Sequence, residues 1–270
     1  MIVKKTLKFT TKLLAVVLII ATLISGTVAF AAKWTDARLD NAPELYNYLH
    51  QGYRSEGGKG PIIITEGTLK NKNNNIGKKS IYLVTFAGLQ IDVKYQATNL
   101  LTCLKVGTNL PNDYFDRATA AIMGRVPKNA NIVLAGHSLG GMVAQQLAAN
   151  PVLRARYKIL NTVTFGSPLI AAGFREGSIQ RLGHELDYVP YLSTNTLITP
   201  IRALAGLNRV SGGGYGTSIS ERTRAHCEAY GTDLFKDYDV LGYKNGKKVI
   251  ELKLNTEQFY YAPCYLGLPY

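Results

Sequence analysis

The sequence predicts an α/β protein built on a mainly parallel, doubly wound sheet with flanking helices and a C-terminal β-hairpin. Two observations predict this class. Apolar runs typical of strands alternate with helical segments, an arrangement that produces parallel sheets covered by helices. One strand-to-helix junction, at 136–141, is a tight glycine-containing turn with a serine at its centre.

Residues 1–31 have the three parts of a Sec-type signal peptide. Four lysines precede the apolar stretch Leu13–Ile24, and Ala29–Ala31 supplies small residues at a cleavage site. We therefore expect cleavage after Ala31 and a secreted or periplasmic protein in which 32–270 form one α/β domain. The alternative is an uncleaved membrane anchor, although the apolar stretch is long enough to span a bilayer only if it includes several polar or small residues.

Local signals place the next elements of the domain. Apolar residues at helical spacing predict an amphipathic helix over 35–55, and a Pro-Asn-Asp start signal precedes a second helix over 112–125. The apolar runs 61–65 and 81–86 are separated by a turn rich in asparagine and lysine, which predicts a hairpin at the start of the sheet. A further strand is expected at 131–135.

The C-terminal part of the chain carries a hairpin signal of its own. Asn245-Gly246 lies between the runs 238–244 and 249–254. An Asn-Gly pair between two such runs is a strong indication of a two-residue hairpin turn. We therefore expect these two runs to pair with each other.

The segment Gly136–Gly141 has the pattern Gly-x-Ser-x-Gly in a strand–turn–helix setting, which gives this pattern a catalytic meaning. The strand 131–135 precedes it, and a helix-forming run over 142–149 stops before Pro151. Glycine is needed beside the serine because a Cβ would strike the backbone of the strand or helix. Ser138 would then lie at a helix N-terminus, where unpaired N–H groups favour negative charge. Ser138 is the candidate nucleophile.

A serine nucleophile needs a base and an orienting acid, and in α/β-hydrolases these follow the serine in the order acid, histidine. Between Ser138 and His226 the chain has one aspartate, Asp187, and the other histidines lie in the wrong order. Asp187 follows a predicted strand over 181–186, at the sheet edge where such sites form. The competing acid is Glu185, which would face the opposite way if the strand persisted.

Four segments carry a resemblance to a known family. They are an elbow at Gly136–Gly141, a strand end at Thr164–Pro168, an acid turn at Asp187–Pro190, and a histidine at His226. In this order they resemble the class 3 lipase family of α/β-hydrolases, over roughly 80–230. The resemblance implies an α/β-hydrolase fold and a serine esterase that acts on lipid or another carboxylic ester.

The resemblance also implies an oxyanion hole, and here the sequence departs from the family. The family strand usually ends in Phe-Arg-Gly-Thr, and the threonine contributes its amide and its hydroxyl. In this chain Leu89 stands at the threonine position and has no hydroxyl. Its backbone N–H could still pair with that of Leu139, which predicts an oxyanion hole made from main chain alone. The alternative is that Gly88 only makes a turn.

Residues 193–218 have an unusual composition. They pass from polar to apolar and end in a run of glycines, and they lie between the acid and the base. We expect either a mobile apolar flap with the glycines as its hinge or a part of the acyl-chain pocket. The alternative is an ordinary loop with a short packed helix.

The net charge and the motifs of the sequence indicate which kinds of partner the protein could bind. Without its first 31 residues the chain has 27 basic and 18 acidic residues, a formal charge of +9. This charge favours an anionic partner such as a membrane surface, and the alternative is a set of scattered solubilising lysines. The sequence has no nucleic-acid motif, no metal-ligand spacing and no phosphate-loop ending after its glycine run. We expect no nucleic-acid partner, metal or cofactor, and the sequence does not indicate an oligomeric state.

Three cysteines, Cys103, Cys227 and Cys264, allow at most one intramolecular pair. A bridge between Cys227 and Cys264 would pin the segment around the candidate histidine to the C-terminal tail. The alternative is three buried thiols.

The sequence therefore predicts a secreted carboxylic-ester hydrolase, either a triacylglycerol lipase or a phospholipase, that works through an acyl-enzyme on Ser138, Asp187 and His226. A small-ester esterase or an acyltransferase would use the same residues. A non-catalytic binding protein on a hydrolase scaffold is the alternative from another class, and the complete triad argues against it.

Overall fold

The structure, a computed structural model, describes residues 38–53, 60–88, 112–170, 176–191 and 206–262. In that part of the chain nine strands form one sheet. The strands are β1 (Arg38–Leu39), β2 (Ile62–Asn71), β3 (Asn74–Phe86), β4 (Asn131–His137), β5 (Lys158–Phe165), β6 (Ser178–His184), β7 (Leu207–Val210), β8 (Lys248–Leu252) and β9 (Gln258–Tyr260).

The sheet combines a parallel half with an antiparallel half. Its order is β1–β8–β2–β3–β4–β5–β6–β7, and β9 pairs with the start of β2. The strands from β3 to β7 are parallel neighbours in chain order, so their carboxyl ends lie at one edge of the sheet. Around β2 every pairing is antiparallel. The predicted α/β class is confirmed, and the sheet is mixed because the N-terminal and C-terminal strands join it antiparallel.

Five α-helices in the described ranges flank this sheet. They are α1 (Ala42–His50), α2 (Asp113–Arg125), α3 (Leu139–Ala149), α4 (Pro151–Arg156) and α5 (Ile219–Glu228). On one face the core includes Ile122 of α2, Val143 of α3 and Leu153 of α4. On the other face the core includes Leu45 of α1 and Tyr230 from the turn after α5. Both faces of the sheet are therefore covered, as the predicted doubly wound arrangement requires.

Two predicted elements are confirmed with small changes at their ends. The helix expected over 112–125 is α2, and it begins one residue later because the Asn112 side chain caps it, accepting the amide of Phe115 at 2.9 Å. The hairpin expected at the start of the sheet is formed by β2 and β3. Both strands are longer than predicted, since they pair out to Asn71 and Asn74.

The helix predicted over 35–55 is wrong at its start. The chain is extended in β1, and α1 begins only after Asn41. The Asn41 side chain accepts the amide of Glu44 at 3.0 Å, and Pro43 lies in the first turn. Asparagine at the cap and proline in the first turn are the two signals that fix a helix start, so the residues before them do not join the helix.

The predicted C-terminal hairpin is also wrong. The run 238–244 folds into a compact turn around the buried carboxylate of Asp239. That carboxylate accepts the backbone amides of Leu241, Tyr243 and Lys248 at 2.9, 3.1 and 3.0 Å. The second run becomes β8, which pairs with β1 and β2 instead of with the first run. Long-range pairing has therefore overridden the local turn signal.

Several predictions fall outside this description. The signal peptide 1–31 lies outside the described residues, as do Cys103 and Cys264. Cys227 carries a free thiol, and burial raises its pKa to about 12. In the ranges that the structure describes, no helix has both the length and the apolar character needed to cross a membrane. The cleavage and the cellular location stay predictions, whereas the free thiol of Cys227 means that the expected bridge from Cys227 to Cys264 is not formed in this structure.

Candidate active site

Ser138 lies in the tight turn between β4 and α3. Its backbone has φ +53° and ψ −122°, a conformation that residues other than glycine rarely adopt. Such strain costs about 1–3 kcal/mol and persists only where the surrounding structure imposes it. The Ser138 amide donates to the carbonyl oxygen of Phe165 at 2.9 Å, which fixes the turn against the end of β5.

Glycines allow the start of α3 to lie directly on the strand ends. A Cβ on Gly136 would overlap the carbonyl oxygen of Gly140, and a Cβ on Gly140 would overlap that of Phe86. A Cβ on Gly141 would lie 2.6 Å from the Cβ of Ser167. No other residue type fits at these distances, so the glycines of the sequence motif set the position of the nucleophile.

The predicted oxyanion donors are described only in part. Leu139 is the first residue of α3, and its N–H has no acceptor among the described residues, as is usual at a helix N-terminus. Leu89 lies outside the described residues. Gly88 packs against the nucleophile, since a Cβ there would lie 2.9 Å from the Cβ of Ser138. The Gly88 N–H donates to the hydroxyl of Tyr53 and is therefore already occupied.

Asp187 and His226 are joined by a hydrogen bond. Nδ1 of His226 lies 2.8 Å from Oδ2 of Asp187. The carboxylate is fully buried, and it also accepts the amide of Val189 at 2.8 Å and the hydroxyl of Tyr230. Because an ionised carboxylate can only accept, Nδ1 carries the proton and Nε2 is left as the acceptor. This is the tautomer that a general base needs.

Glu185, the competing acid, is not the partner of His226. The strand predicted over 181–186 ends at His184, and Glu185 is exposed in the turn that follows. The argument from strand alternation therefore does not apply. The turn itself separates the two carboxylates, because it buries Asp187 completely and leaves Glu185 in solvent.

The nucleophile is not hydrogen-bonded to the base in this structure. Neither Oγ of Ser138 nor Nε2 of His226 has a hydrogen-bond partner among the described residues. The ring of His137, the residue before Ser138, packs on the ring of His226 with the centroids 4.6 Å apart. Catalytic hydrogen bonds often tighten only in the substrate complex. The hydrogen bond between Asp187 and His226 is formed, and none joins Ser138 to His226.

Two buried polar side chains hold the loops around the site. Arg181 on β6 donates to the carbonyl oxygens of Ser167 at 3.2 Å and Pro190 at 2.7 Å. Gln145 on α3 donates to the carbonyl oxygen of Pro168 at 2.8 Å. The segment after β5, the acid turn and the nucleophile helix are thereby connected into one unit.

The described part of segment 193–218 is held by hydrogen bonds, and the expectation of a flap stays a prediction. It contains the edge strand β7, and the ring of His184 donates to the carbonyl oxygen of Gly212 at 3.1 Å. An arginine of α5 donates to the carbonyl oxygen of Gly214, also at 3.1 Å. Both glycines have positive φ, so they serve a left-handed turn. The part of the segment from 193 to 205 lies outside the described residues.

Sequence reasoning missed Tyr230, which helps to hold the acid. Its hydroxyl donates to Oδ2 of Asp187 and accepts the amide of His184 at 3.2 Å. Burial, and then the charge of Asp187, raises the pKa of Tyr230 well above its usual range, so the hydroxyl stays a donor. The spacing of four residues between His226 and Tyr230 was the available signal, because it places two side chains on one side of a helical segment.

Comparison with known proteins gives a family for this fold and site. A family model described as a PGAP1-like alpha/beta domain, an α/β-hydrolase-type family, matches residues 67–225, which is more than half of the chain. The match includes Ser138 and Asp187 and ends one residue before His226. The resemblance to class 3 lipases is not specifically confirmed.

Among solved structures, the chain is similar to one described as a crystal structure of M37 lipase. The identity is 12%, the similarity covers 80% of this chain and 91% of that chain, and the TM-score is 0.36. A likeness this distant carries no argument about mechanism or substrate. No curated protein matches the chain.

Tyr230→Phe tests the contribution of the buried hydroxyl. Its removal leaves the His184 amide without an acceptor and takes one donor from Asp187, so we expect the free energy of unfolding to fall by about 1–3 kcal/mol. Urea denaturation measures the change. Tyr238→Phe is the matched control, because that ring is also buried and its hydroxyl has no partner in the described ranges. Equal losses in the two variants would contradict a specific role for the Tyr230 hydroxyl.

Proposed function

We propose that this chain, which belongs to the PGAP1-like alpha/beta domain family, is a serine hydrolase that cleaves carboxylic esters of lipids through an acyl-enzyme. The observation that carries the proposal is the buried hydrogen bond between Asp187 and His226, beside a serine in a nucleophile elbow. A purely structural ion pair would not need a serine held in a strained turn next to it.

In the proposed reaction Nε2 of His226 takes the proton of Ser138 as Oγ attacks the carbonyl carbon of the ester. The carbonyl π electrons move to oxygen and form a tetrahedral oxyanion. As the intermediate collapses, the bond to the alcohol oxygen breaks and His226 returns its proton to the leaving alcohol. Water then attacks the acyl-serine in the same way and releases the carboxylic acid. Asp187 stays ionised and stabilises the imidazolium.

The oxyanion would be bound by main-chain N–H groups. The amide of Leu139 begins an eleven-residue helix, and the positive end of a helix dipole favours charge developing there. The amide of Leu89 is the proposed second donor. Each such donor is worth on the order of 10²–10³ in rate.

A surface beside the base supports a lipid substrate. We call Tyr188, Ile219 and Arg222 the rim. Ile219 is 70% exposed and Tyr188 is 42% exposed, and the guanidinium of Arg222 lies 3.9 Å from the centroid of the Tyr188 ring. The spacing of Ile219, Arg222 and His226 places them on one side of α5.

The composition of the rim favours an anionic bilayer as its partner. Surfaces that enter a headgroup region combine apolar and aromatic side chains with cations that attract anionic lipids. The rim has one side chain of each of these three kinds, and the chain without its first 31 residues has a formal charge of +9. We therefore include peripheral contact with an anionic membrane surface in the proposal.

The finer assignment within ester hydrolysis also belongs to the proposal. A triacylglycerol lipase and a phospholipase would both fit a serine site next to a lipid-binding rim. Membership of the class 3 lipases, which is part of this proposal, would fit the same site. An esterase for small soluble esters or an acyltransferase would use the same acid and base without needing the rim. A non-catalytic scaffold would not need the strained serine.

We also propose that the chain is exported and acts outside the cytoplasm, in a secreted or periplasmic form. In that case the mature protein begins at Ala32, because the small residues of the N-terminal segment direct cleavage after Ala31. Intact-mass spectrometry of the protein recovered from the expressing cell and its medium measures this directly. A protein that keeps residues 1–31 and sediments with membranes would favour the anchored alternative.

A series of three variants tests the catalytic assignment. Ser138→Ala removes the attacking oxygen and Asp187→Asn removes the anion that orients His226, so each should lower kcat by about 10⁴-fold. Glu185→Gln, the matched control, should stay within about twofold because an exposed side chain away from the base affects neither step. Hydrolysis of p-nitrophenyl butyrate and labelling of Ser138 by a fluorophosphonate are the measurements. An active Ser138→Ala variant, or a larger loss in Glu185→Gln than in Asp187→Asn, would refute the assignment.

Ile219→Ser tests the rim. Burying this side chain in a bilayer contributes on the order of 1.5 kcal/mol, so its loss should lower the ratio of activity on anionic vesicles to activity on a soluble ester about tenfold. Val152→Ser is the control, since Val152 is 56% exposed on α4, away from the rim. If both variants keep the wild-type ratio, the rim does not contact lipid and the esterase alternative gains support.

A further inference from the structure

A chain of three hydrogen bonds, partly buried at its start and buried at its end, runs past the candidate site and includes no side chain of the proposed triad. The N–H of Gly88 donates to the hydroxyl of Tyr53. The same hydroxyl lies 2.7 Å from Nδ1 of His137. Nε2 of His137 lies 3.0 Å from the backbone carbonyl oxygen of His226. The chain therefore starts at the backbone that packs on the nucleophile and ends at the backbone of the base.

The direction of every bond in this chain is fixed. A carbonyl oxygen only accepts, so Nε2 of His137 must carry the proton. Nδ1 of a neutral imidazole then has a lone pair, and the Tyr53 hydroxyl must donate to it. That leaves the Tyr53 oxygen to accept the Gly88 N–H. For a neutral His137 this is the one arrangement of protons that satisfies all three bonds.

The surroundings keep His137 neutral. Burial, with smaller contributions from the charges of His226 and His50, lowers the pKa of His137 well below its usual range. Burial also raises the pKa of Tyr53, so its hydroxyl keeps its proton. The titratable side chains that face the His137 ring are Tyr46, His50, Tyr53, His226 and Tyr230.

We propose that Tyr53 and His137 are positioning residues that set the separation between the nucleophile and the base, a role that rests on the proposed hydrolase function. Gly88 packs on the Cβ of Ser138, and His137 precedes Ser138 in the chain. Both therefore belong to the nucleophile's side of the site. The carbonyl group of His226 is the point at which this side meets the base.

The end of α5 explains why such a contact is needed. The last carbonyl groups of a helix have no partner within it. Nε2–H of His137 donates to the carbonyl oxygen of His226, and the Tyr46 hydroxyl donates to that of Cys227 at 2.7 Å. Asp187 bonds to the side chain of His226, and His137 bonds to the main chain of His226.

Tyr46 offers a matched control for Tyr53. Both are tyrosines of the N-terminal helical segment, Tyr46 buried and Tyr53 half-buried. Each hydroxyl donates one hydrogen bond, that of Tyr46 to the carbonyl oxygen of Cys227 and that of Tyr53 to Nδ1 of His137. The Tyr46 hydroxyl bonds only to the residue after His226 among the described residues. It makes no bond to the nucleophile's side, so its loss should weaken the docking of α5 without changing the separation of nucleophile and base.

The experiment compares Tyr53→Phe with Tyr46→Phe, with p-nitrophenyl butyrate as substrate. Because small displacements of reacting groups cost rate steeply, we expect kcat of Tyr53→Phe to fall about 10- to 100-fold, with KM within about twofold of wild type. Tyr46→Phe should keep kcat within about twofold, although the Tm of both variants should fall by a few degrees. A Tyr53→Phe variant with wild-type kcat, or equal kcat losses in the two variants, would overturn the proposal.

A second variant keeps the test decisive if Tyr53→Phe does not fold. In His137→Asn the side-chain oxygen can still accept from Tyr53, but the donor to the carbonyl oxygen of His226 is lost. We expect the same fall in kcat with unchanged KM, and wild-type kcat would overturn the proposal. Wild-type protein and Ser138→Ala distinguish failure of the proposed function from failure of the positioning role. If wild type neither turns over ester nor reacts with a fluorophosphonate at Ser138, the proposed function fails, and the positioning role fails with it.

Discussion

The close approach of backbone to backbone at the start of α3 is the constraint on which the site depends. Gly136 and Gly140 leave no room for a Cβ between the helix and the ends of β3 and β4. The helix therefore begins directly on the sheet, and Ser138 must turn through a left-handed conformation to enter it. The strain of about 1–3 kcal/mol is sustained because the surrounding strands fix both sides of the turn.

Parallel strands bring the other groups to the same edge. β4, β5 and β6 are adjacent and end together, so the nucleophile, the Ser167 loop and the acid turn meet without long excursions. The base differs, because His226 lies on a helix that follows the last parallel strand. Its position depends on side-chain contacts, which come from Asp187 and from His137. The position of His226 on α5 is therefore set by side-chain contacts and not by the strands of the sheet.

The contrast between groups placed by the sheet and a histidine placed by side-chain contacts explains which features could be predicted from the sequence. The elbow turn, the capped helix α2 and the pairing of Asp187 with His226 have local or ordinal signals in the sequence, and the structure contains all three. Tyr53 has no such signal, since its partner His137 is 84 residues away and the chain contains 17 tyrosines. The C-terminal hairpin failed for the opposite reason, because its Asn-Gly signal is local while β8 gains more from pairing inside the sheet.

The hydrogen bonds of Asp187, His226 and Ser138 indicate which of the three side chains is free to move. Asp187 holds three donors, and His226 is bound at its ring and at its carbonyl group, so the acid–base pair has little freedom to turn. The hydroxyl of Ser138 has no hydrogen bond in the described part of the chain. Rotation of the Ser138 side chain therefore breaks no hydrogen bond in the described part of the chain. A base fixed in advance is what electrostatic preorganisation requires, since reorganisation at the moment of reaction would add to the barrier.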